Sequence, residues 1–154
     1  MTNHQRIRKI LRENKYCVLA TASRRGQPWA SPVYFVSDTK FNLYWTSAKT
    51  SKHSRLIRAN PKVAISIFNS QAEGSDVDGL YLQTRARELT AKDLPPALKI
   101  YAGRDNFDPG PKDDFLGTSP IRMYQAVPSR MWLLGPERKF RGKFVDTRVA
   151  LSKV

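Results

Sequence analysis

The sequence predicts a mainly β protein, an antiparallel barrel carrying two or three short helices. Three observations lead there. Apolar and polar residues alternate through about seven strand-length segments. Those segments mostly follow one another through hairpin-sized turns rather than long crossovers. Helical periodicity is confined to short stretches near the N-terminus, after Thr50 and after Lys92.

The elements follow in order. Thr2 and Gln5 fit a capping box, and Ile7, Ile10 and Leu11 recur at helical spacing, so a helix is expected over 3–14. Tyr16–Ala22 reads as a buried strand and Arg24–Pro28 as the turn after it. Trp29–Val36 and Phe41–Ser47 are the next two strands, joined through Ser37–Lys40. Pro32 lies inside the second, so its missing N–H must fall at a bulge, an edge or a ligand-facing position. Ser51 is an N-cap for a helix over 52–59, which Asn60-Pro61 ends because a residue before proline avoids the α region. Val63–Phe68 is expected as a central strand and Leu80–Leu89 as a strand wetted on one face. Pro95 and Pro96 suit the first turn of a helix within 92–104. Asn106–Pro120 is expected as a long irregular loop, a lid or an interface element. Ile121–Val127 and Arg130–Leu134 are expected as two final strands around Pro128-Ser129.

At 154 residues the chain reads as one domain, with 136–154 as a basic C-terminal extension. No apolar run approaches the roughly 20 residues of a membrane helix, and the N-terminus has no secretory pattern. The default compartment is the cytoplasm. One cysteine, Cys17, and two histidines give no metal-ligand set.

Charge is uneven. Twenty-seven Lys and Arg against thirteen Asp and Glu give +14. Five cations and no acid fall between Lys49 and Lys62, six cations and two acids between Pro136 and Val154, and nine of the thirteen acids between Glu73 and Asp114. Such asymmetry favours anionic ligands, either phosphate groups or nucleic acid, and it also suits a solvated basic surface.

Two segments carry the candidate chemistry. Ser51 and Lys52 stand at a helix start, where free N–H groups and the dipole favour an anion; the same residues also suit plain capping. The strand Ala30-Ser31-Pro32-Val33-Tyr34 can present backbone donors edge-on to a flat aromatic ligand, with Thr46 as a further hydrogen-bond partner. Trp29, Tyr34, Tyr44 and Trp45 serve equally well as core or interface aromatics. No acid–base pair stands out, so the catalytic residues are unknown. His53 reads as a phosphate donor or a surface residue, and Cys17 as a small buried hydrophobe.

The run P-W-A-S-P-V-Y-F, L-Y-W-T-S, S-K-H and N-P-K-V-A-I-S resembles the flavin-binding core of the pyridoxamine 5′-phosphate oxidase-like split-barrel family. The resemblance covers roughly residues 5–135 and is most specific over 27–68. It implies a homodimeric split β-barrel that holds FMN at the dimer interface. It implies that Ala30, Ser31, Pro32 and Val33 line the flavin, that Trp45 and Thr46 sit against the ring and ribityl chain, and that Ser51 and Lys52 hold the phosphate. P-S-R-M-W-L-L-G resembles the segment that brings a tryptophan from the partner subunit, which makes Trp132 a contact in trans.

The sequence also departs from the family. Ser51 stands where many members have arginine, which implies a weaker phosphate clamp. Gly79 stands where a glutamine contact is common. The Arg-x-His pattern that grips the substrate phosphate is absent from Pro136–Arg141, which argues against vitamin B6 oxidation. The expectation is an oxidoreductase passing hydride or electrons through flavin N5, with a small and possibly anionic substrate and a reduced nicotinamide as candidate partners. A deazaflavin cofactor on the same fold, a nucleic-acid-binding barrel, and a non-catalytic flavin- or haem-binding stress protein stay open.

Overall fold

A computed structural model describes residues 1–151. Its elements are α1 (Asn3–Glu13), β1 (Tyr16–Ala22), β2 (Pro28–Tyr34), β3 (Val36–Ser37), β4 (Leu43–Ala48), α2 (Lys52–Ala59), β5 (Lys62–Phe68), β6 (Gly79–Glu88), α3 (Leu94–Ala102), β7 (Ile121–Phe140) and β8 (Lys143–Ala150). Short 3₁₀ turns occupy Gly74–Asp76 and Lys112–Phe115. The strands form one antiparallel sheet in the order β2-β1-β5-β6-β7-β4-β3, with β8 added to β7. The mainly β, antiparallel expectation is therefore met.

Local chemistry sets the element ends. The Thr2 hydroxyl accepts from the Gln5 N–H at 3.2 Å while Gln5 Oε1 accepts from the Thr2 N–H at 2.7 Å, a complete capping box on α1. Between β3 and β4, Asp38 Oδ1 accepts from the N–H groups of Lys40 and Asn42, and Phe41 takes a positive φ of 63°. The chain switches partners here. β2 pairs with β1, and after Phe35 the chain pairs with β4 instead. The single strand expected over 29–36 is thus two, because one continuous strand cannot serve neighbours at opposite ends of the sheet.

The expected pair of final strands is instead one strand. β7 runs unbroken through Pro128-Ser129, where the register to β6 shifts from Gln83↔Arg130 to Thr84↔Pro128. Ser129 is the extra residue, and its Oγ donates to the Gln83 carbonyl at 3.0 Å. A bulge absorbs the proline without ending the strand. The expected C-terminal extension is likewise ordered as β8 through Ala150; residues 152–154 lie outside the described part.

One face of the sheet curls around a core of Leu19, Val33, Leu43, Trp45, Ile65, Leu82 and Leu133, capped by Ile7, Ile10 and Leu11 of α1. On the other side of β4, Tyr44 and Met123 pack against α3 and Phe115. Strand alternation separates the two clusters, since neighbours Tyr44 and Trp45 point to opposite faces. Cys17 is buried in the main core, where desolvation pushes its thiol up to about 12. It packs as an inert hydrophobe. No helix among the described residues is long and apolar enough to cross a membrane.

Arg104 joins the layers. Its guanidinium donates to the carbonyls of Leu11, Phe35, Arg12 and Asn14 at 3.3, 2.9, 3.2 and 2.7 Å. Arg104→Ala strands those acceptors, and charge-assisted bonds of this kind stabilise substantially. Loss of about 3 kcal/mol in urea unfolding is the expected outcome, with the far-UV spectrum unchanged.

Candidate functional site

The predicted residues lie on β2, β4, the start of α2, and β7. β2 is an edge strand, so Pro32 sits where a missing donor costs no ladder bond. The Phe35 N–H reaches back to the Lys15 carbonyl at 3.1 Å, which fixes the sense of the strand. Odd-numbered N–H groups point toward β1, and even-numbered ones toward the open side. Between Pro28 and Pro32, only Ala30 offers an N–H to that open side. Ala30 and Pro32 side chains are exposed, whereas Val33 turns inward and is buried.

Ser31 is paired with Leu19 on the inner face, yet its buried Oγ has no hydrogen-bond partner. Trp45 is fully buried and stacks on Tyr124, with centroids 5.7 Å apart and planes at 14°. Its buried Nε1 also lacks a partner. Among the described residues these are the two buried side-chain polar atoms left unpaired, and β2 and β4 approach one another in space. Such orphans are uncommon and costly.

Thr46 faces the opposite side of β4 from Trp45. It lines a cleft of about 480 Å³ with Phe107, Pro109, Asp114, Phe115 and Ser119. The 106–120 segment therefore folds over Thr46. Arg122 pins its end, donating to the carbonyls of Gly117, Ser119 and Ile121 and pairing with Glu88 at 3.0 Å. Tyr101 lies alongside; burial pushes its phenol up, and the Thr46 hydroxyl opposes that.

At α2, Ser51 caps the helix by accepting from the Ser54 N–H at 3.3 Å. Its Oγ also lies 2.8 Å from Ser54 Oγ and 3.1 Å from His53 Nε2. The same imidazole nitrogen is 2.8 Å from Ser47 Oγ on β4. His53 therefore clasps the end of β4 to the start of α2, a role that neither its residue type nor its neighbours announced. Lys52 projects outward, its ammonium 4.1 Å over the exposed Trp29 ring of β2. Ser51, Lys52 and Trp29 thus bring α2 and β2 to one corner.

Trp132 is elsewhere. It sits on the outer face in the cross-strand row Pro32–Val18–Ser66–Tyr81–Trp132. Four strand spacings put it about 19 Å from Pro32. It borders a cleft of about 1000 Å³ with Lys40, Asn42, Arg130, Met131 and Leu151. Between the two ends of that row, Ala20, Ala64 and Ser66 leave a shallow small-residue depression of about 280 Å³.

Residues 4–116 match the family described as pyridoxamine 5′-phosphate oxidase. The chain belongs to that family. It is 24% identical over 99 residues to the UPF0306 protein PM1958 of Pasteurella multocida (strain Pm70), a match covering 64% of this chain and 66% of that one. Among solved structures it is similar to the protein Atu2129 of Agrobacterium tumefaciens (TM-score 0.67, 16% identity, 84% of this chain and 55% of that one). It is similar to HutZ, the haem storage protein of Vibrio cholerae (0.67, 18%, 85% and 94%). It is also similar to an FAD-binding protein of Mesorhizobium loti (0.61, 20%, 86% and 92%). At these identities the likeness concerns the fold.

Burial holds the His53 imidazole below its ordinary 6.5. The unfolded chain then takes up this proton first, so the His53 contribution is flat above about pH 6.5 and stability falls as pH drops through the window below it. A His53→Gln variant keeps a polar group at the clasp but does not titrate. Its melting temperature between about pH 5 and 8 is expected to show a shallower acid-side decline than wild type.

Proposed function

We propose that this chain is a flavin-dependent oxidoreductase that holds FMN between β2, β4 and the start of α2. The observation carrying the reading is that both unpaired buried polar atoms, Ser31 Oγ and Trp45 Nε1, belong to residues that the family resemblance assigns to the cofactor. A bound ligand would give such atoms a partner. The Ala30 N–H, the one donor between Pro28 and Pro32 on the open edge, is suited to a flat heterocycle, with the exposed Ala30 and Pro32 side chains beside it. Ser51 and Lys52 would take the phosphate at the helix start, where acids are absent from the first turn. Bound there, the flavin would supply hydride or electron transfer through its N5.

The chain's own residues orient and seclude rather than exchange protons. The Ser47–His53–Ser51 clasp fixes the cap hydroxyl, and the segment over Thr46 limits water. A second copy would complete the site. Trp132 is too far from Pro32 to reach it within one chain, and the small-residue outer face between them is an apolar surface suited to a two-fold contact. Arg130 and Lys40 beside Trp132 favour a small anionic substrate, with a reduced nicotinamide as candidate electron donor. The likeness to HutZ raises haem as a second ligand. Against it, His53 Nε2 is engaged by two serine hydroxyls.

The test is the visible spectrum of protein loaded with FMN and desalted. Retained bands at about 370 and 450 nm support the reading; a protein that is colourless after FMN loading and desalting, but retains a deazaflavin or haem when loaded with that instead, overturns the FMN assignment. Lys52→Ala is expected to weaken FMN binding about tenfold in fluorescence-quenching titrations, the loss of one charge-assisted phosphate contact. Ser31→Ala should act in two directions. It removes a buried unpaired hydroxyl, so the cofactor-free protein gains about 1 kcal/mol in urea unfolding, while FMN affinity falls.

A further inference from the structure

The β7–β8 hairpin leaves the body of the protein. The last β6–β7 pair is Leu80↔Leu133, and from Gly135 onward β7 pairs with β8 alone. Its base is held by Arg6, which donates to the Leu134 carbonyl at 2.9 Å and forms an ion pair with Asp78 at 2.7 Å. Six further residues carry the strand to Phe140, a reach of about 20 Å. Every residue from Pro136 to Asp146 is exposed.

This arm is not a mere extension of the sheet. Phe140, Phe144 and Val145 are 61%, 69% and 41% exposed, a costly exposure that the Arg141 guanidinium, 5.3 Å over the Phe140 ring, covers only in part. Arg138, Lys139, Arg141 and Lys143 fill four of the six positions from Arg138 to Lys143, with no acid among them. The turn itself holds Arg141 at φ 49° and Gly142 at φ 81°, the two-residue geometry that asparagine-glycine normally supplies. A bulky cation at that first position is strained, and strain of this kind points to a role for the side chain.

The register decides what the arm fits. Phe140 pairs with Lys143, and Phe144 pairs with Lys139, so each aromatic has a cation beside it. Being one strand position from their neighbours' partners, the two rings fall on opposite faces of the ribbon. No apolar face exists to lie on a membrane, and the outermost residue is an arginine. A strand wrapping the tip would instead meet one ring on each face, with cations between them for its phosphates.

We propose that the β7–β8 hairpin tip binds single-stranded nucleic acid, with Arg138, Lys139, Arg141 and Lys143 on the phosphates and Phe140 and Phe144 as base-stacking platforms. This surface is separate from the candidate cofactor corner and does not depend on it. The chain's +14 charge would draw the polyanion in at a distance.

Fluorescence anisotropy of the full chain with a labelled 20-nucleotide oligo-dT and with an RNA oligonucleotide of equal length tests the proposal across a salt series. Arg141→Ala/Lys143→Ala is expected to lessen the slope of log affinity against log salt by about 1.4, roughly 0.7 for each lost phosphate contact. Phe140→Ala/Phe144→Ala is expected to weaken binding at least tenfold with the slope unchanged. Both pairs of residues are exposed, and thermal melts check that the variants remain folded. Binding that neither pair alters overturns the proposal by placing the contact elsewhere on the basic surface. A tip-dependent change in oligomeric state by sedimentation, without oligonucleotide binding, overturns it in favour of an arm that grips a second copy. Tip-dependent co-sedimentation with phosphatidylglycerol vesicles, again without oligonucleotide binding, overturns it in favour of a lipid surface.

Discussion

One strand, β7, supplies ladder hydrogen bonds to β4 over Ile121–Ala126, to β6 over Tyr124–Leu133 and to β8 over Trp132–Phe140. Everything else is arranged about that shared backbone. A strand with such obligations cannot stay flat, and the Ser129 bulge is where its curvature changes as β4 gives way. Its inward side chains, among them Tyr124, Met131 and Leu133, lie in the core that α1 caps. Its outward ones include Trp132 and Arg130. The same backbone therefore fixes the distance between the core and the outer cleft.

The corner formed by α2, β2 and β4 is held by polar contacts as well as by the packing of Ile57, Val33 and Trp45 in the main core. Ser54 is fully buried at the start of α2, and the Tyr124 phenol beside it is pushed up by burial and opposed by the Ser54 hydroxyl. Arg58 continues the set, donating to the Lys49 carbonyl at 2.6 Å and the Tyr124 hydroxyl at 3.4 Å. A helix start built this way is ordered before any ligand arrives, which lowers the entropic cost of binding. Lys52 stays at the surface over the Trp29 ring, where an anion at the helix start can meet it.

Much of the fold was legible because local rules governed it. The capping box on α1, the Ser51 cap, the Asn60-Pro61 stop and the alternation in β1, β5 and β6 all stand in the sequence as short-range patterns. What was not legible required knowledge of partners. Whether Pro128 ends a strand or sits in a bulge depends on what lies across from it, and Gln83 and Thr84 are more than forty residues away. The break at Phe35 depends on β1 and β4 lying at different places in the sheet. For the site, Ser31, Thr46, Ser51 and Lys52 could be singled out by residue type and resemblance. The link from His53 to Ser47, and the folding of Phe107 and Phe115 over Thr46, arise from tertiary contact and leave no local trace. The basic character of 136–154 was visible, but the β7–β8 hairpin through Ala150 was not, since Arg141-Gly142 is a weak turn signal beside asparagine-glycine.

The two prolines of β2 have an effect beyond the pocket. An open sheet edge is a template on which another strand can zip, and concentrated β proteins aggregate by that route. Along this edge Pro28 and Pro32 withhold every second donor that an incoming strand would need. The Lys52 ammonium parked on Trp29 adds a charge where such a strand would have to lie. The edge can thus stay open enough for a small molecule while refusing a polypeptide.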